Sequence, residues 1–159
     1  PSTNRLFHAF AVAGLDFGDL TTAPADDASV KSFFRIRYLY PKNKDTIKLS
    51  RSVCQFGFPE NAAKLFQLKS DNPQSAFYTF ILTAEDGTKL YGHCLRTLPL
   101  GSRKQHDIQR RYPECFCFVS RTHHRTFFES LLTRQRIAGE CTCRFELDFA
   151  VASNNFSTM

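Results

Sequence analysis

An apolar run, Ala76 to Thr83, stops at Ala84-Glu85-Asp86-Gly87, and a second run, Lys89 to Leu98, leads back out. Asp-Gly readily takes the left-handed backbone of a tight turn, so the two runs predict an antiparallel hairpin. A third strand, Cys115 to Ser120, follows a basic loop, and a helix begins within a few residues of its end. That helix is marked by Phe127, Phe128, Leu131 and Leu132, which fall on one stripe at helical spacing. Ser120 or Thr122 is placed to cap its start and Gly139 to end it. The stretch contains no phosphate loop and no metal box. A sheet that offers surface rather than reactive groups points to a binding module.

The upstream half supplies two more strands. Leu6 to Leu15 is apolar on both faces, the pattern of a strand covered from two sides. Phe33 to Tyr40 sets Phe34, Ile36, Tyr38 and Tyr40 on one face against Arg35 and Arg37 on the other. Inserted charges of this kind protect an edge strand, and Pro41 ends it because proline cannot donate to a ladder. Lys44 to Val53 predicts one or two helical turns, Cys54 to Glu60 an extended aromatic piece, and Ala63 to Leu68 a further turn of helix. Phe77 and Ile81 oppose Tyr78, Phe80 and Leu82 in the first hairpin strand, so both its faces are expected to be covered. The sum is an α+β fold, a five-stranded mostly antiparallel sheet with helices on both faces.

At 159 residues the chain is one domain's worth, and its first residue, Pro1, suggests a piece of a longer polypeptide. A net charge of +6 permits an acidic partner, but no RNA-recognition or zinc-finger spacing supports nucleic acid, which is not expected. No apolar run is long enough to cross a membrane as a helix. The six cysteines include two C-x-C pairs, Cys115/Cys117 and Cys141/Cys143. Strand residues two apart share a face but sit too far apart to bridge each other comfortably. Cys94, Cys115 and Cys117 are therefore expected as small buried hydrophobes, in a reduced, intracellular protein. The alternative, zinc held by both pairs, needs the tail to fold back. Asn155-Phe156-Ser157 has the form of a glycosylation sequon. His93 and Cys94 are neighbours in a strand, so their side chains point to opposite faces and cannot form a thiolate–imidazole pair. His123-His124 is expected to decorate the helix start. Neither a metal nor a cofactor is expected.

Taken in order, LFHAFAVAGLD, RYLYP, FGFPE, FYTFILTAEDGTKLYGHCLRTLP and PECFCFVSR with its striped helix resemble the upstream half of a DENN domain. This is the longin-like module of DENN-family exchange factors for Rab GTPases, and the resemblance spans Leu6 to about Ile137. Where the family usually has Phe-Cys-Phe-Pro, this chain has Phe56-Gly57-Phe58-Pro59. The resemblance implies a longin-like fold over residues 1–139, with 140–159 a tail or linker. It implies an N-terminal exchange-factor module that binds a Rab-family GTPase and helps release GDP without bond-making chemistry. A longin-like adaptor without exchange activity is the alternative. The implied partners are a Rab-family GTPase and the downstream central DENN module. The implied setting is the cytoplasm, with peripheral contact to vesicle membranes through the basic loop 103–111.

Five residues are candidate partner contacts. Tyr38 and Tyr40 combine an apolar ring with a polar tip, a type enriched at interfaces. Phe58 and Pro59, with Phe56, serve either as anchors of the connection onto the sheet or as contacts. Arg121, just past the last strand, can pair with a phosphate or carboxylate, or simply sit in solvent.

Overall fold

The computed structural model describes residues 5–17, 20, 22–67, 76–97 and 114–138. Its elements, in chain order, are β1 (Ala9–Leu15), α1 (Asp27–Val30), a 3-10 turn (Lys31–Phe33), β2 (Phe34–Tyr40), α2 (Lys44–Gly57), α3 (Ala62–Gln67), β3 (Ala76–Thr83), β4 (Lys89–Thr97), β5 (Glu114–Ser120) and α4 (Arg125–Ala138). The five strands form one sheet in the order β2-β1-β5-β4-β3. Every pairing is antiparallel. The α+β architecture with helices on both faces is therefore as expected, and consistent with a longin-like fold.

β1 lies inside the sheet and all seven of its residues are buried. Its alternation decides how closely each face can be approached. Ala9, Ala11 and Ala13 line one face together with Cys94, Cys115 and Cys117, while Phe10 and Val12 line the other with Leu95 and Phe118. Small side chains let α2 settle close to the first face, and α2 answers with Ser50, Val53, Cys54 and Gly57 as its buried residues. An ideal Cβ on Gly57 would stand 3.0 Å from Cys115 Sγ, so glycine here permits the close approach. α1 and α3 join this layer through Val30, Ala62 and Leu65. On the large-residue face, Phe128 and Leu132 of α4 are buried over Phe10 and Phe118, and the stripe's other members, Leu131 and Phe127, are half-buried and exposed.

Four expectations are corrected. First, α2 is a 14-residue helix that runs to Gly57, so Cys54 to Gly57 is helical rather than extended. Asn43 and Thr46 close a reciprocal capping box at its start, which fixes the helix well before its apolar stripe begins. Second, Phe34 and Ile36 do not share a face with Tyr38 and Tyr40. Val12 pairs with Tyr38 but Ala13 pairs with Ile36, so Arg37 is an extra residue in β2. That bulge reverses the alternation, sending Phe34 to the α2 side and Tyr38 and Tyr40 to the α4 side. Third, β3 is an edge strand and is not covered on both faces, since Ile81 is 58% exposed. Fourth, Ser120 and Thr122 bond to each other rather than capping α4, and its first turn closes from Phe128 N–H to the His124 carbonyl, 3.1 Å.

The hairpin turn is as predicted. Gly87 has φ +82, and its N–H donates to the Ala84 carbonyl at 2.9 Å. Cys141, Cys143, the sequon at Asn155, Gly139 and the basic loop 103–111 lie outside the described residues. No helix among the described residues is long and apolar enough to cross a membrane.

Candidate partner-binding surfaces

The five candidate contacts do not converge on one site. Phe58 and Pro59 follow α2, on the small-residue side and at the end of the sheet where β2 begins and β4 ends. Tyr38 and Tyr40 sit on β2 on the opposite face. Arg121 is exposed beyond β5, at the sheet end where β2 finishes and the β3–β4 hairpin turns.

Phe58 is only 2% exposed. Its ring stacks on Phe34, with centroids 5.9 Å apart, and the Arg96 guanidinium lies 6.0 Å from its centre. Arg96 also holds Glu60 through an ion pair of 2.5 Å and reaches the Gly57 carbonyl at 3.4 Å. The same carbonyl accepts a 2.7 Å bond from the Tyr78 hydroxyl. Burial raises the Tyr78 phenol far above its ordinary range, so it remains a donor. Phe58 is therefore an anchor that fixes the connection after α2 to β3 and β4. Pro59 is exposed and borders a cavity of about 240 Å³ lined by Asp27, Val30, Phe34 and Leu65. Phe56 projects the other way, 37% exposed and stacked 4.9 Å from Phe80.

Tyr38 and Tyr40 are half-buried, with the Tyr38 ring 5.9 Å from Phe10. The bulge beside them has a purpose visible in the packing. Gly14 leaves room for Arg37 to cross β1, since a Cβ there would meet Arg37 Nε at 2.5 Å. Arg37 then pairs with Glu114 of β5 at 3.1 Å. Burial pushes the Glu114 carboxyl above its usual range and Arg37 draws it partly back.

Around Arg121 the polar groups are histidines. His93 is fully buried, stacked 4.4 Å over Phe128, with Nε2 3.3 Å from the Thr122 carbonyl. A carbonyl only accepts, so Nε2 carries the proton. His123 stacks on His93 at 5.7 Å and near Tyr91 at 5.1 Å, decorating the helix start as its sequence position suggests. Burial lowers the His93 pKa, and His123 and His124 lower it further against the raising effect of the Thr122 carbonyl. Cys94 is on the opposite face, where burial lifts its thiol pKa well above the ordinary value. Burial likewise raises Cys54 to about 11, and Cys115 and Cys117 are raised as well. These are packing thiols, as the strand positions imply, and among the described residues no group of three potential ligands could hold a metal.

The Arg96–Glu60 pair was not singled out from the sequence, although an arginine in an otherwise apolar strand was a usable signal. The exposed apolar pair Ile81 and Phe127 was missed because both looked like core members of their stripes.

Residues 34–97 match the uDENN domain, a span that covers β2 through β4. That span of the chain is similar to a uDENN domain. The chain is also similar to short stretches of three larger proteins. The chain is 35% identical over 95 residues to DENN domain-containing protein 2C of Mus musculus, covering 58% of this chain and 9% of that protein. It is 26% identical over 130 residues to DENN domain-containing protein 2A of Mus musculus, covering 80% of this chain and 12% of that protein. For DENN domain-containing protein 2B of Homo sapiens the identity is 33% over 93 residues, covering 54% of this chain and 7% of that protein. The chain thus spans about a tenth of the length of the curated relatives it matches.

Proposed function

We propose that this chain is the N-terminal module of a DENN-type guanine nucleotide exchange factor, which binds a Rab-family GTPase and helps release GDP in membrane trafficking. The observation that carries the proposal is the uDENN match over 34–97, set within DENN-like segments that keep their order from β1 to α4. Exchange of this kind makes and breaks no covalent bond. It works by binding the nucleotide-free GTPase more tightly than the GDP-bound form, and the shift can be no larger than that difference in affinity. In this reading Tyr38, Tyr40 and Arg121, which share one end of the sheet, are contacts. Phe58 and Pro59 lie outside that wall as anchors of the connection after α2, and the downstream central DENN module supplies the rest of the cleft. The basic loop 103–111 would touch anionic membrane, placing the protein in the cytoplasm at vesicle surfaces.

One wall offers only part of a standard interface of about 800 Å² per partner. This chain alone is therefore expected to bind weakly and to leave GDP release within about twofold of the spontaneous rate. Release of fluorescent GDP from a panel of Rab GTPases tests this, using the chain alone and the chain joined to a central DENN module. Acceleration only by the joined protein supports the proposal. Strong acceleration by the chain alone overturns the division of labour, and silence from both favours an adaptor without exchange activity.

A further inference from the structure

The two edges of the sheet are built on opposite plans. β2 carries Arg35 and Arg37, is interrupted by the bulge at Arg37, and stops at Pro41. Those are the devices by which an edge strand refuses a foreign partner. β3 has none of them. Its eight residues, AFYTFILT, contain no charge and no proline, and they pair with β4 in unbroken register from Ala76↔Arg96 to Thr83↔Lys89. Apolar groups flank the strand on both sides. On the α4 side Ile81 is 58% and Phe127 43% exposed, beside the half-buried Phe77. On the α2 side Phe56 is 37% exposed against Phe80. Among the described residues no strand lies beyond β3.

We infer that the β3 edge is a self-association surface, on which β3 of a second copy of this chain adds antiparallel to continue the sheet through both molecules. A second copy fits better than an unrelated segment because a two-fold axis confronts every residue near it with itself or with a close neighbour. A charged residue there would meet a like charge, which destabilises a cross-strand pair, and β3 contains none. With Thr79 on the axis, Phe77 faces Ile81 of the second copy on the α4 side, an aromatic and β-branched pair that covers the exposed Ile81. Tyr78 faces Phe80 of the second copy on the α2 side. Seven paired residues and their flanks place the contact at the small end of specific interfaces, so the dimer is concentration-dependent.

Charge gives the interface a signature. Each chain carries +6, while β3 itself carries no charge and Arg125 stacks over Phe77 at 5.5 Å. Added salt screens the repulsion between the copies and removes no attractive ion pair, so dimerisation strengthens with ionic strength. Sedimentation of the chain from micromolar to millimolar concentration, at low and high salt, reads this directly. The expected result is a monomer–dimer equilibrium that tightens in salt and that Ile81→Lys weakens by about tenfold or more. Ile81 is mostly exposed, so this variant should keep the wild-type melting temperature, which separates loss of association from loss of fold. Amide exchange in β3 should also slow as protein concentration rises. A monomer at every concentration overturns the inference, as does a dimer that salt dissolves or that Ile81→Lys leaves intact.

Discussion

Gly92 is the residue on which β3 and β4 depend most directly. An ideal Cβ on it would fall 2.2 Å from Phe80 Cζ, because the Phe80 ring lies flat across the position a side chain would take. Gly92→Ala should therefore cost about 1–3 kcal/mol through overpacking, seen as a lower melting temperature with the fold retained. Phe80→Ala removes the ring instead and should cost about 3–5 kcal/mol, with the edge position and the exposed Phe56 above it placing the loss toward the lower figure. A melt of Phe80→Ala indistinguishable from wild type would show that β3 is not packed as described. His93 links residue chemistry to pH. Its folded pKa is below the unfolded value of 6.5, so the unfolded chain binds the proton first as pH falls. The stability that neutral His93 contributes is complete above 6.5 and declines as pH drops from there toward the folded pKa. His93→Gln should flatten the stability profile in that window, whatever its effect at neutral pH, when unfolding is followed by denaturant titration at a series of pH values. An unchanged slope would mean that His93 titrates alike in both states.

Among the elements, α2 and β2 show best where sequence patterns succeed and where they mislead. Asn43→Ala removes one half of the capping box and should cost about 1 kcal/mol, read as a shift in the denaturant midpoint without a change in slope. From the sequence this helix was expected to end at Val53, with Cys54 to Glu60 an extended aromatic piece, and the box was not singled out. Glycine at 57 is compatible with a final helical residue whose Cβ has no room beside Cys115, and only the neighbouring strand makes that reason visible. β2 was correctly placed at an edge from its two arginines and Pro41. Its faces were not, because a bulge adds one residue and inverts every side chain beyond it. Nothing local to β2 required the bulge. Its counterpart is Gly14 on β1 with Glu114 on β5, and both are remote in sequence.

For the molecule as a whole, the sheet divides the interior into two cores of different grain, alanine and cysteine toward α2, phenylalanine toward α4. The buried thiols belong to the first core, held protonated by burial. Purified protein should accordingly carry no stoichiometric zinc, and chelator should leave the melt unchanged. One zinc per chain in elemental analysis would instead point to the paired C-x-C motifs. Element order, the hairpin, the edge character of β2 and the alternation of β1 were all determined by the sequence, because each rests on local turn chemistry or on a period of two or 3.6 residues. The DENN resemblance rested instead on the order of particular segments, from LFHAFAVAGLD to PECFCFVSR. The tertiary structure alone decided which candidate contacts face solvent. It buried Phe58 beneath Arg96, turned Tyr38 and Tyr40 to the far side of the sheet from Pro59, and left Ile81 open at the β3 edge. Those outcomes depend on strand order and on a one-residue bulge. Both are set by contacts between residues far apart in the chain, which no local pattern records.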